Sequence, residues 1–286
     1  MSTFVAALAQ INTKLGDVPA NLDKHLALIA DARARGADLI VFPELSLTGY
    51  MLQDLAPSVA LRPTPQDDTL RRLLEASRAL DLVVGFVERD EAHRLYISSA
   101  YLSHGDIVHI HRKLYLPTYG LFQDGRFFGV GTTARAFPTR FGRMGLLICE
   151  DFWHVSPPYV LWLDGAEVLL CASASPGRGM QGEAGLESAR WVESVGQAYA
   201  RLFSVFVAQT NRVGLEDGLT FWGGASLHAP DGRCLAQAPY FEEALTLAEI
   251  DLSEVSRLRT RLPLLRDERP DLILRELDRL RQAGGS

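Results

Sequence analysis

Three residues of this 286-residue chain have the types and settings that nucleophilic attack on a carbonyl or nitrile carbon requires. Cys149 closes the apolar run Gly145-Leu146-Leu147-Ile148 and is followed at once by Glu150, Asp151, Phe152 and Trp153. A short apolar run reads as a buried strand. A thiol at its C-terminal end, against the start of a helix, lies where α/β folds bind ligands. Backbone N–H groups at such a helix start point outward unpaired and can hold an anion. Glu44 lies just past a second strand candidate, Asp38 to Phe42, and Lys113 follows a third, Ile107 to Arg112. A thiol nucleophile, a carboxylate that takes and returns its proton, and an ammonium beside the developing oxyanion can together cleave an amide. The N–H of Glu150 would share the oxyanion with Lys113. Spacing does not show that residues so far apart converge. Taken singly, Cys149 also reads as a core cysteine, Glu44 as a solvated loop acid and Lys113 as a surface lysine.

The elements that must position them alternate between strand and helix. Phe4 to Ile11 reads as a strand, and Asn21 as the N-cap of an amphipathic helix reaching Arg35, with Leu22, Leu26, Ile29 and Ala30 on one face. Leu70 to Leu80 is a helix and Leu82 to Val87 a strand. Tyr96 to Leu102 and Ile107 to Arg112 bracket the turn Ser103-His104-Gly105-Asp106, a hairpin signal. Further on come strands near Phe137, Gly145 to Ile148 and Val168 to Cys171, and helices over Val155 to Leu163 and Leu186 to Leu202. Ser204 to Gln209, Thr220 to Leu227 and Ala244 to Ile250 read as strands, and Leu272 to Gln282 as a final amphipathic helix. Hairpins mixed with crossover helices predict mixed sheets covered by helices. Without a repeat of about 20–50 residues or a long linker, one domain over 1–286 is the simplest organisation, 264–286 being a helical extension.

Bulk composition narrows the class. Apolar residues make up 47% and charged residues 22%, ordinary for a protein with a sizeable core. A net charge of −6 without a basic block argues against a nucleic-acid partner. No stretch approaches the roughly 20 apolar residues of a membrane span, so no membrane partner is expected. The three cysteines lack disulfide-framework or zinc-ligand spacing, which fits a reducing, cytoplasmic setting without a metal. His109 and His111 share a strand face, but no third ligand accompanies them, so a hairpin surface is expected there. Cys171 and Cys234 read as core.

The segments Phe42-Pro43-Glu44-Leu45-Ser46-Leu47-Thr48-Gly49-Tyr50, Arg112-Lys113-Leu114-Tyr115-Leu116-Pro117 and Ile148-Cys149-Glu150-Asp151-Phe152-Trp153 resemble, in order, the three signature segments of the carbon–nitrogen hydrolase (nitrilase) superfamily. The resemblance spans about residues 3–260, and three matching words in order are far more specific than one. It implies a four-layer αββα sandwich without a cofactor, Glu44 as general base, Lys113 as transition-state stabiliser, Cys149 as nucleophile, and a homodimer or larger assembly. Leu116 to Phe128, Ala172 to Pro176, and Asn211-Arg212-Val213-Gly214 with Phe221 to Gly224 resemble the glutaminase domain of glutamine-dependent NAD synthetases. That resemblance makes Tyr50, Tyr119 and Ser175 substrate-binding candidates. Packing with a satisfied hydroxyl for the tyrosines, and a turn before Pro176 for the serine, are the plain alternatives.

Two positions depart from that branch. Asp124 stands where it carries a second glutamate, about one methylene shorter in reach toward Lys113. The loop Pro176 to Gly182 has its own spacing, with Arg178 a candidate for a substrate carboxylate or a solvated arginine. No pyrophosphate-binding loop of a synthetase occurs in the sequence. The expected function is therefore an amidase acting on small linear amides with water through a thioester. The alternatives are a glutaminase subunit serving a separate synthetase, a nitrilase, or a non-catalytic oligomeric interaction protein.

Overall fold

Alternation along the first strand sets up the layers. In the computed structural model, which describes residues 3–177 and 186–283, Phe4, Ala6 and Leu8 face one apolar cluster while Ala7 and Ala9 face another. A strand buried on both faces needs apolar residues at nearly every position, and FVAALA supplies them.

The chain runs through β1 (Thr3–Gln10), α1 (Val18–Ala34), β2 (Leu39–Val41), α2 (Ala56–Val59), α3 (Asp68–Ala76), β3 (Asp81–Arg89), β4 (Leu95–Ser103), β5 (Asp106–Arg112) and α4 (Asp124–Phe127). It continues with β6 (Phe137–Pro138), β7 (Arg143–Ile148), α5 (Ser156–Leu163), β8 (Val168–Ser173), α6 (Glu187–Phe203), β9 (Phe206–Asn211), β10 (Val213–Glu216) and β11 (Leu219–Trp222). Last come β12 (Ser226–His228), β13 (Cys234–Gln237), β14 (Ala244–Asp251), α7 (Ser253–Arg261), α8 (Leu264–Asp267) and α9 (Pro270–Ala283). One six-stranded sheet has the order β14-β1-β2-β3-β4-β5 and a second the order β13-β12-β9-β8-β7-β6. The links β1–β2–β3 and β7–β8–β9 are parallel and the remaining pairings antiparallel.

The two sheets meet face to face. Leu8, Val41, Val83 and Tyr101 from one and Met144, Leu146, Leu170 and Phe206 from the other share one buried cluster. The outer face of the first sheet packs on Leu22 and Ile29 of α1 and Leu70 and Leu73 of α3. That of the second packs on Leu161 and Trp162 of α5 and Tyr199 and Phe203 of α6. These are four layers, αββα, as the sequence predicts. Among the described residues no helix is long and apolar enough to cross a membrane.

Several local expectations need correction. The first helix starts at Val18, with Asp17 as its cap accepting from the Ala20 N–H. Asn21 lies inside the helix and is buried, its amide tying Lys14 and Leu47 together. Ala30 is exposed, and His25 takes the core-facing place instead. The segment Thr220 to Leu227 is two strands, because Gly223 and Gly224 at φ 76° and 66° break it. Both backbone angles are left-handed, which a continuing strand cannot use. His111 is buried, not on a hairpin surface, and His109 stacks on Phe137 with ring centroids 4.4 Å apart. Cys234 lies exposed on the edge strand β13 rather than in the core.

Two contacts beneath the Pro43-Glu44-Leu45 loop generate predictions. A Cβ on Gly85 of β3 would sit 2.5 Å from the Pro43 carbonyl oxygen and 2.6 Å from the Leu45 nitrogen. Gly85→Ala should cost about 1–3 kcal/mol by overpacking against rigid backbone. Gly36→Ala, where the methyl meets nothing within 4 Å, carries only the strain of its φ of +83°. Thermal denaturation of both variants checks this, and an unchanged Gly85→Ala melt would show that the loop yields freely.

His25 is the second contact. It stacks on Phe42 at 4.0 Å, and its ring nitrogens meet the Asn21 carbonyl and Ser46 Oγ at 2.7 and 2.9 Å. Burial lowers its pKa from 6.5 to about 4. A histidine held neutral stabilises the fold above 6.5 and loses that contribution as pH falls toward about 4, here about 3 kcal/mol. Denaturant titrations between pH 7 and pH 4.5 should show this slope, and His25→Gln should flatten part of it. An equal slope in the variant would exclude His25 as a source.

Candidate active site

The strand ends named from sequence converge where the two sheets meet. Lys113, one residue beyond β5, is 1% exposed and donates from Nζ to Glu44 Oε1 and to Asp124 Oδ2, both at 2.7 Å. Glu44, 2% exposed in the loop after β2, also accepts from the Ala174 N–H at 2.9 Å. It thereby reaches from the first sheet to the end of β8 in the second. Asp124 accepts from the Tyr50 hydroxyl at 2.8 Å, so the shorter carboxylate does reach Lys113. Tyr50 stands edge-on to Phe122 and Phe221.

Cys149 opens a short 3-10 turn directly after β7, with a left-handed φ of 44°. Such a conformation costs a non-glycine residue about 1–3 kcal/mol and persists only where the surroundings enforce it. Asp151 enforces it here. Its fully buried carboxylate accepts from the N–H of Ile148, the N–H groups of Leu114 and Tyr115, and pairs with His111 Nε2 at 2.8 Å. One side chain thus staples the cysteine turn to the segment that follows Lys113. Ser175 lies beside the thiol, its Oγ 3.8 Å from Sγ, and its N–H donates to Asn211 Oδ1 at 2.8 Å.

Electrostatics follow from burial. Burial raises the pKa of Glu44 above its ordinary 4.5, against the lowering pull of Lys113, while Asp124 raises it further. Burial and the Glu44 charge hold the Cys149 thiol well above the usual range. Burial by itself would favour neutral Lys113, but Asp124 and Glu44 outweigh it and keep the ammonium charged. These shifts favour a neutral thiol and a charged ammonium, with the Glu44 carboxyl in hydrogen-bond contact with both.

A cavity of about 320 Å³ opens above the thiol. Its apolar wall comprises Pro117, Phe122, Trp153, Pro176, Trp191 and Val192. Glu150, Glu187 and Tyr119 add polar groups, the Tyr119 hydroxyl donating to both Glu150 carboxylate oxygens at 3.1 and 3.0 Å. Of the substrate-binding candidates, Tyr119 and Ser175 line this cavity, whereas Tyr50 and Asp124 border a separate, smaller recess. Arg178 lies outside the described residues. Sequence reading missed Asp151, His111 and Asn211 as supports because their partners are distant in the chain. It missed Trp191 and Glu187 because an exposed residue in an amphipathic helix gives no sign of facing a cavity.

Comparison with known proteins agrees with this frame. The carbon–nitrogen hydrolase family profile matches residues 5–260. The chain is 33% identical over 263 residues to the glutamine-dependent NAD(+) synthetase of Thermotoga maritima, which covers 90% of the chain and 44% of that protein. The chain thus spans less than half the length of the synthetases it matches. It is 28% identical to the N-carbamoylputrescine amidase of Arabidopsis thaliana over 90% of the chain and 89% of that protein. A carbon–nitrogen hydrolase structure from Helicobacter pylori superposes with a TM-score of 0.85 at 22% identity, covering 96% of this chain and 99% of that one. With the profile match extending over most of its length, this chain belongs to the carbon–nitrogen hydrolase family.

Proposed function

We propose that this protein is an amidase that hydrolyses small linear amides through a thioester on Cys149. The observation that carries the proposal is the closed set of thiol, carboxylate and ammonium at the base of a cavity. Because the thiol is held neutral, its proton passes to Glu44 as sulfur attacks the amide carbon. Negative charge developing on the carbonyl oxygen is met by the Lys113 ammonium and the Glu150 N–H, whose preorganisation lowers the barrier most. Glu44 returns the proton to the departing ammonia or amine. It then takes one from water as that water attacks the thioester carbon; the C–S bond breaks, the acid leaves, and Glu44 hands the proton back to the Cys149 sulfur. Asp124, held by Tyr50, keeps the ammonium aligned. As in the superfamily it resembles, the chain is proposed to act as a homo-oligomer.

A second reading has its own support. Glutamine-dependent NAD(+) synthetases are prominent among the relatives, so the same chemistry serving ammonia to a separate synthetase is the alternative. An ammonia-release screen over amides, ureido compounds, nitriles, glutamine and asparagine, with and without a synthetase partner, tests both. Turnover of glutamine that rises on adding the partner favours the alternative.

Two measurements test the chemistry. Cys149→Ala should abolish ammonia release, and Glu44→Gln should slow it about 10²–10⁴-fold. Intact-mass spectrometry during turnover should show an acyl adduct on the wild-type chain that Cys149→Ala lacks. Activity persisting in Cys149→Ala would remove the cysteine from the mechanism.

The pH profile tests the base. Glu44 must be ionised in the free enzyme, so kcat/KM should fall on acidification through a pKa above the ordinary 4.5. Asp124→Asn removes a charge that raises the Glu44 pKa, so the acid limb should move to lower pH while kcat drops. An acid limb that stays in place would assign it to another group.

A further inference from the structure

The reacting groups leave open which acyl group the enzyme accepts, and the cavity wall bears on that choice. The indoles of Trp153 and Trp191 lie nearly parallel, 18° apart with centroids separated by 6.1 Å. Both line the cavity, and both remain open to solvent, at 37% and 59% exposure. They come from unrelated elements, the turn after Cys149 and the first half of α6, so neither local sequence nor the reaction demands the pairing. Large exposed aromatic surface continuous with a pocket marks a binding face. Phe122, Pro117 and Val192 add apolar surface to the same cavity, which Cys149 also lines.

The charged groups on the described wall are both acids, Glu150 and Glu187. A free carboxylate at the far end of a substrate would meet their repulsion. An apolar end would meet the indoles and displace water from them.

Resting on the amidase reading, we infer that the preferred substrates are amides whose acyl chain ends in an uncharged, ring-sized apolar group, held against the Trp153–Trp191 face. Trp191 is on this view a specificity-determining residue. It touches the acyl terminus and takes no part in proton transfer or oxyanion stabilisation.

The test compares kcat/KM for 3-phenylpropanamide, hexanamide, acetamide and glutamine on one enzyme preparation. The wild type should prefer 3-phenylpropanamide over both acetamide and glutamine by about tenfold or more, the scale on which apolar pockets discriminate. Trp191→Ala should reduce the 3-phenylpropanamide-to-acetamide ratio about tenfold, mainly through KM, and Trp191→Phe should restore most of it. A ratio measured on one preparation is independent of the fraction that folds. A ratio unchanged in Trp191→Ala, or a wild type that favours glutamine or acetamide, overturns the inference and leaves the amidase reading intact. Absence of turnover and of any acyl adduct with all four amides overturns both.

Discussion

The constraint on which the structure turns is the burial of the Lys113 ammonium. A charge in the interior is tolerable only when paired and hydrogen-bonded, and removing one partner of such a pair costs about 3–5 kcal/mol. Both partners come from elsewhere in the chain, Glu44 from the loop after β2 and Asp124 from α4. Each carboxylate is in turn committed on its second oxygen, to the Ala174 N–H and to the Tyr50 hydroxyl. Since Ala174 follows a strand of the second sheet, the second oxygen of Glu44 is satisfied only where the two sheets are docked.

Around this set lies a frame of other buried polar groups. Glu216 accepts from the N–H groups of Tyr50 and Met51, both at 2.8 Å, and pairs with the buried Arg212 at 2.6 Å. That guanidinium also lies over the Phe221 ring at 4.3 Å, so the β10–β11 hairpin and the Tyr50 segment are held as one piece. Asn211 ties Ser175 to the carbonyl of Gly223, and Asp151 ties the cysteine turn to the Lys113 segment. Buried pairs of this kind add little net stability over apolar packing. Their effect is geometric, and it permits the left-handed backbone at Cys149 to persist.

What the sequence made legible divides along the same line. The strand ends carrying Glu44 and Cys149 could be read because each follows an apolar run, and burial on both sheet faces leaves a continuous hydrophobic signature. Lys113 could be read because it follows the second strand of a hairpin with a clear turn signal. Hairpins mixed with crossover helices gave mixed sheets covered by helices, and the four-layer arrangement came from the resemblance of the three signature segments. The supporting groups were not legible, since Asp151, Asn211 and Glu216 act across long stretches of chain and have no local pattern. His111 looked like hairpin surface because alternation does not reveal that a second sheet covers that face. Asn21 looked like a cap because its residue type suits one. Only the Lys14 and Leu47 backbone groups beside it give its amide an interior use. The glycine pair at Gly223 and Gly224 was visible, but not the side chains that leave no room for a Cβ there, Gln10 at Gly223 and Trp222 and Tyr240 at Gly224.

The groups proposed for the reaction and those proposed for selectivity sit on separable parts of this fold. The groups proposed for the reaction come from strand ends and are locked into one another, so a change at any of them disturbs the rest. One side of the cavity wall comes from α6, anchored through Tyr199, Ala200 and Phe203 on the second sheet and through Ala189 and Val192 on Trp222. Those anchors leave Trp191 on the open side of the helix, in contact with the cavity but with no part in the buried charge set. A substitution there alters surface exposed to solvent, where energetic effects are usually small. Substrate range can therefore change on this scaffold while the ammonium and its two carboxylates remain fixed.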